Sequence, residues 1–82
     1  MPMPEYQWIR TSWRNRVLTL TLNRPETLNS IDETLHTELA RVFDDAARDP
    51  DSDVVVLTGA GRAFCAGGDA GYLQDMIDGG TL

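Results

Sequence analysis

The chain has 82 residues, a formal net charge of -6, and 41% hydrophobic and 24% charged residues. A chain this short makes at most one small domain, which buries only about 60% of the surface its unfolded form exposes, and the composition is that of a folded chain rather than a disordered one. The acidic balance, with seven basic residues that are all Arg, disfavours nucleic acid or an anionic membrane surface as the main partner.

Residues 6–13 are rich in aromatic and β-compatible types and predict a first strand. Arg14-Asn15 is the expected tip of a hairpin, since Asn tolerates positive φ. Residues 17–22 then alternate, with Leu18, Leu20 and Leu22 on one face and Val17, Thr19 and Thr21 on the other. Pro25, which has no backbone donor, stops the pairing.

A helix is expected next. Ser30 and Glu33 have capping-box spacing, and Asp32 is an alternative N-cap. Leu35, Leu39, Val42, Phe43 and Ala46 recur at helical spacing as one apolar stripe, with His36, Glu38, Arg41 and Asp45 mainly on the polar side. Asp49-Pro50 ends the helix, because a residue before Pro is pushed out of the α region. Val54-Val55-Val56-Leu57 is an uninterrupted apolar run, the pattern of a strand covered on both faces. A glycine-rich loop follows, then a second amphipathic stretch over residues 69–78, broken by Gly79-Gly80. The order strand, strand, helix, strand, loop, helix gives an α/β unit. Its last strand needs cover from a continuation of the chain or from a partner.

Cys65 is the single cysteine, so neither an internal disulfide nor a thiolate metal cluster is expected. No apolar run approaches the roughly 20 residues of a membrane span. Met1-Pro2-Met3-Pro4-Glu5 lacks the basic and apolar regions of a signal peptide. A cytoplasmic location is the resulting expectation, with no nucleic acid and no membrane as partner.

The stretch from Thr58 to Asp69 carries most of the chemical information. It lies between a buried-type strand and a helix, where α/β proteins build ligand sites. Its glycines let backbone N–H groups face an anion or a developing oxyanion. The dinucleotide fingerprint fails, because Gly59-Ala60-Gly61 is followed three residues on by Phe64. The phosphate-binding P-loop fails for want of a Lys. A glycine-rich turn that only reverses the chain remains the alternative to a ligand site.

Val55-Val56-Leu57-Thr58-Gly59-Ala60-Gly61-Arg62-Ala63-Phe64-Cys65-Ala66-Gly67-Gly68-Asp69 resembles the signature of the enoyl-CoA hydratase/isomerase (crotonase) family. Leu22-Asn23-Arg24-Pro25-Glu26-Thr27-Leu28-Asn29-Ser30 resembles a second family motif at the expected distance upstream. Two motifs in the right order, with the right helix between them, form a specific signal. The resemblance covers residues 6–82 and only the first part of a family member.

It implies a crotonase-like spiral of β-β-α units, of which this chain holds the first unit and the start of the next. Residues 1–82 are then the N-terminal part of a truncated crotonase-like domain. Family members act on acyl-CoA thioesters and stabilise the thioester enolate with two backbone N–H groups. The resemblance makes the N–H of Gly68 the first donor; the second donor and the two acid–base Glu residues fall beyond Leu82. It makes Arg24, Leu28, Ala66, Gly67, Gly68 and Asp69 the residues around the CoA substrate. Coenzyme A is part of that substrate, with no separate cofactor and no metal.

The expected reaction is addition of water across the 2,3 double bond of an enoyl-CoA. Isomerisation, dehalogenation or a non-catalytic interaction module are the alternatives. A homo-oligomer, trimer or hexamer, is the expected assembly. For Arg24 an exposed turn residue is the alternative to a phosphate contact, and for Asp69 a helix cap is the alternative to chemistry. Cys65 reads as a packing residue rather than a nucleophile, His36 as a surface residue, and Glu26, Glu33 and Glu38 as loop and solvated helix residues without an acid–base role.

Overall fold

The computed structural model describes residues 3–68 together with 71, 74 and 78. Three strands, β1 (Ile9–Arg14), β2 (Val17–Leu22) and β3 (Val54–Gly59), form one sheet in the order β1-β2-β3. β1 and β2 are antiparallel, with Ile9 opposite Leu22 and Arg14 opposite Val17. β3 runs parallel to β2, with Val17 beside Val54 and Leu22 beside Gly59. A parallel return requires a crossover, and α1 (Glu33–Ala47) supplies it.

The hairpin tip is Asn15-Arg16, one residue later than Arg14-Asn15. Both tip residues have positive φ, 51° and 64°, as a two-residue turn between right-twisted strands demands. Asn adopts that conformation readily, and Arg16 is held in it by its partners. The Arg16 guanidinium donates to both Asp53 carboxylate oxygens at 2.8 and 3.0 Å and to the Pro50 carbonyl at 3.0 Å. The Arg16 carbonyl accepts from the N–H of Asp53 at 2.8 Å. The tip of the hairpin thereby fixes where β3 starts. The guanidinium also holds the Asp53 carboxyl below its usual range, chiefly through the hydrogen bond.

The alternation of β2 works as read. Leu18, Leu20 and Leu22 are buried against Leu35, Val42 and Ala46 of α1, with Ile9 of β1 completing the core. Asp32, the alternative to the Ser30–Glu33 capping box, is the N-cap: its carboxylate accepts from the Leu35 N–H at 2.8 Å, which satisfies one of the otherwise orphan donors of the first turn. Phe43 belongs to the predicted apolar stripe but is exposed. The helix ends at Ala47, just before Asp49-Pro50, as expected.

Two acids read on the polar side of the helix, Glu38 as solvated, bind the N-terminal segment instead. Glu38 accepts from the backbone N–H groups of Gln7 and Trp8, the latter at 2.8 Å. Asp45 accepts from the Tyr6 hydroxyl, and burial together with that carboxylate pushes the Tyr6 phenol above its usual range.

β3 departs from expectation. Its valines were read as covered on both faces, yet Val54, Val55 and Val56 are exposed. β2 flanks one edge of β3, α1 lies over the leucines of β2, and among the described residues nothing lies along the other edge. Of the second amphipathic stretch, Gly71, Gln74 and Asp78 are helical, with a Gln74–Asp78 side-chain bond of 2.9 Å. The other residues of that stretch, and the glycine pair after it, lie outside the described residues.

Candidate active-site loops

Two loops leave the same end of the sheet, because β2 and β3 are parallel and their C-terminal ends lie side by side. The first, residues 23–31, follows β2; the second, residues 60–68, follows β3. This is the edge at which parallel α/β sheets form ligand sites.

The first loop is a tight corner. Pro25–Thr27 form one turn of 3-10 helix, with the proline at a position where a missing N–H costs nothing. Leu28 and Asn29 then both adopt left-handed φ, 56° and 57°. Left-handed backbone is routine for Asn but uncommon for Leu. The corner closes on itself through Leu28 N–H to the Pro25 carbonyl at 3.1 Å and Asn29 N–H to the Arg24 carbonyl at 2.8 Å. The effect is to turn the Leu28 carbonyl toward the second loop, where it accepts from the Ala66 N–H at 3.0 Å.

The second loop starts with a backbone approach that only glycine permits. A Cβ on Gly59 would stand 2.3 Å from the Phe64 carbonyl oxygen and 2.8 Å from the Asn29 amide nitrogen. Gly61 and Gly67 have left-handed φ of 79° and 97°. The Ile31 N–H donates to the Gly67 carbonyl at 2.8 Å, and Ile31 and Gly68 form a parallel bridge. The two loops therefore form one hydrogen-bonded unit.

The N–H of Ala66 is taken by Leu28, so Ala66 presents its carbonyl, and its surface is exposed. The Gly67 N–H faces the Cys65 sulfur at 3.4 Å. Among the described residues, no backbone carbonyl accepts from the N–H of Gly68, and Gly68 is exposed. Cys65 packs against the core, which suits the packing reading. His36 is exposed on α1.

Arg24 is not an exposed turn residue, since its side chain is only 13% exposed. The guanidinium donates to the Ser30 carbonyl at 2.6 Å, lies 3.6 Å from the Asp32 carboxylate and stacks 5.1 Å over the Trp8 ring. It ties the corner to both β1's approach segment and the N-cap of α1. Asp69 lies outside the described residues. No cluster of three His, Cys, Asp or Glu that could hold a metal ion occurs among the described residues.

Asn29 was not singled out by residue reasoning, although it proves to be the fully buried polar centre between the loops. Its carboxamide oxygen accepts from the Arg24 N–H at 2.8 Å, and its nitrogen donates to the Ala60 and Ala63 carbonyls, each at 2.9 Å. The available signal was an Asn directly after a proline turn, a position that favours left-handed backbone.

The sequence model for enoyl-CoA hydratase/isomerase matches residues 12–80. The 1,2-epoxyphenylacetyl-CoA isomerase of Escherichia coli K12 is 53% identical over 65% of this chain and 20% of its own length. A probable 3-hydroxyisobutyryl-CoA hydrolase of Arabidopsis thaliana is 42% identical over 80% of this chain and 18% of its own length. The crystal structure of an enoyl-CoA hydratase from Mycobacterium marinum superposes with a TM-score of 0.79 at 48% identity, covering 87% of this chain and 34% of that one. The chain thus spans about a fifth of those curated relatives and a third of that solved structure. Its strands and helix are a partial β-β-α unit of the crotonase fold, and the chain belongs to the enoyl-CoA hydratase/isomerase family.

Proposed function

We propose that the chain is the N-terminal part of an acyl-CoA thioester enzyme, and that it supplies the first oxyanion donor through the N–H of Gly68. The observation that carries this reading is the paired-loop unit. The N–H of the exposed Gly68, which no backbone carbonyl takes among the described residues, sits one residue after a backbone pinned by Leu28 and Ile31. A donor fixed before the reaction stabilises developing charge without reorganisation, and removing one such donor costs about 10²–10³ in rate.

Around it, the exposed Ala66 offers its carbonyl to the CoA portion, beside Gly67 and ahead of Asp69 in sequence, and the left-handed Leu28 corner, whose N–H and carbonyl are both taken, shapes that side of the site. Arg24 fits a role in holding the corner for that substrate, because its guanidinium is committed to Ser30, Asp32 and Trp8. Coenzyme A enters as part of the substrate, and the working assembly is a homo-oligomer. The relatives described above are named for three different reactions on CoA thioesters while matching this segment. This supports reading the segment as a common part that stabilises negative charge on the thioester oxygen, with residues outside it selecting the reaction.

Hydration of an enoyl-CoA is the reaction we assign. The test is product identification by NMR when a full-length protein carrying this segment is given crotonyl-CoA. Formation of 3-hydroxybutyryl-CoA is expected, whereas the purified 82-residue chain gives none. Turnover of other CoA thioesters without hydration would move the assignment to a sister reaction. Failure on every CoA thioester would overturn it.

A further inference from the structure

We infer that Asn29 is a positioning residue for the Gly68 amide, acting through the loop and never touching the substrate. The inference rests on the oxyanion role proposed for Gly68.

The Asn29 side chain is 0% exposed. Its oxygen faces one N–H, that of Arg24, and its nitrogen faces two carbonyls, those of Ala60 and Ala63. That pattern fixes the orientation of the amide, since only the NH₂ end can donate to two carbonyls. Both amide protons are used, so none is left for a ligand. Asn29 also closes the first loop through its own N–H and its left-handed φ. One residue thus sets the shape of the first loop and anchors the second where it reverses after β3.

The neighbours of Asn29 continue the attachment. Leu28 accepts from Ala66, and Ile31 donates to Gly67. Residues 28–31 therefore hold the second loop at Ala60, Ala63, Ala66 and Gly67, with the Leu22 carbonyl also accepting from the Ala60 N–H at 2.8 Å, and the last hold is one residue before Gly68. Apart from Cys65, which packs against the core, and Arg62 and Phe64, which are exposed, the loop is Gly and Ala with little side chain to pack, so its geometry leans on these bonds. Asn29 makes two of the four. Releasing them leaves the loop between Ala60 and Ala66 without its central anchor, and a donor displaced by about 1 Å can lose on the order of 10²-fold in its effect.

Two substitutions isolate the carboxamide. Asn29→Asp keeps the shape and tolerates left-handed φ, but turns a carboxylate oxygen toward the Ala60 and Ala63 carbonyls. Asn29→Gly keeps the left-handed backbone and removes the carboxamide, and it carries the test if the Asp variant does not fold. The probe is acetoacetyl-CoA, which loses a C2 proton to give an enolate that absorbs in the near ultraviolet. Each variant of the full-length protein is compared for its bound enolate fraction at one pH and for its Kd for free coenzyme A.

Asn29 substitution is expected to lower the enolate fraction by about 10-fold or more, while the Kd for coenzyme A changes by less than about threefold. Val42→Ala, which opens a cavity under α1 at a residue that makes none of these loop hydrogen bonds, is expected to leave the enolate fraction unchanged despite its loss of stability. The inference is overturned if a folded Asn29 variant keeps the parental enolate fraction. It is equally overturned if Val42→Ala produces the same loss, or if coenzyme A affinity falls in step with the enolate. Gly68→Pro separates the two levels. A loss of enolate there with none in the Asn29 variants removes the positioning role and leaves the donor role standing. No loss in either removes both.

Discussion

β2 and β3 are six-residue strands of similar apolar content, lying side by side in parallel register. Leu18, Leu20 and Leu22 of β2 are 0, 0 and 1% exposed, whereas Val54, Val55 and Val56 of β3 are 53, 41 and 42% exposed. β2 has a strand on each edge and α1 across its leucines; β3 has β2 on one edge. Hydropathy marks a strand as fit for burial, but its place in the sheet decides whether these residues bury it. β3 nevertheless stays in register, because Arg16 clamps its start and Asn29 and the Gly59 close approach fix its end.

The contrast predicts unequal costs for equal truncations. Leu20→Ala should destabilise the 82-residue chain by about 3 kcal/mol, within the range for a buried Leu. Val55→Ala, already in contact with water, should cost under about 1 kcal/mol. Urea unfolding midpoints measure both, and equal shifts would break the contrast.

The end of β3 sharpens it. Gly59→Ala drives a Cβ into the Ala63 and Phe64 carbonyls and the Asn29 amide, and should cost about 2 kcal/mol or more. A Cβ on Gly67 meets nothing within 4 Å, so Gly67→Ala bears only its left-handed backbone, about 1 kcal/mol. The same unfolding curves would show the order reversed if steric closeness at Gly59 did not hold the loops together.

What could be read in the residues followed from local rules. The two-residue alternation of residues 17–22, the helical spacing of Leu35, Val42 and Ala46, and the Asp32 cap each depend on neighbours a few positions away. What could not be read depends on contacts between distant residues. Glu38 has the spacing of a solvated helix acid, and nothing in α1 says that Trp8, 30 residues earlier, offers it an N–H. Arg16 is a turn residue whose partners, Asp53 and Pro50, lie 37 and 34 residues further on. The paired loops were legible only as two motifs; that Asn29 joins them became visible when β2 and β3 were set in parallel.

A smaller effect concerns the junction before β3. The Trp13 indole N–H donates to the Asp49 carboxylate at 2.8 Å and holds that carboxyl below its usual range, with the Asp51 N–H assisting. A carboxyl that titrates lower folded than unfolded contributes stability above its unfolded pKa of about 3.9, and that contribution is lost as pH falls through the folded value. Trp13→Phe should therefore raise the Asp49 pKa toward its ordinary range, as read by side-chain NMR titration. The stability gap between variant and parent should also narrow in strong acid. A gap that widened in acid would have the wrong sign.

The donor role of Gly68 is tested most directly by removing a single N–H. Gly68→Pro deletes the donor, since proline has none, and Gly68→Ala retains it. In a full-length protein carrying this segment, with both variants first shown to keep the parental melting temperature, the Pro variant should lose turnover by about 10²-fold or more. The Ala variant should stay far closer to the parent. A folded Gly68→Pro protein that turned over CoA thioesters at nearly the parental rate would contradict the donor role.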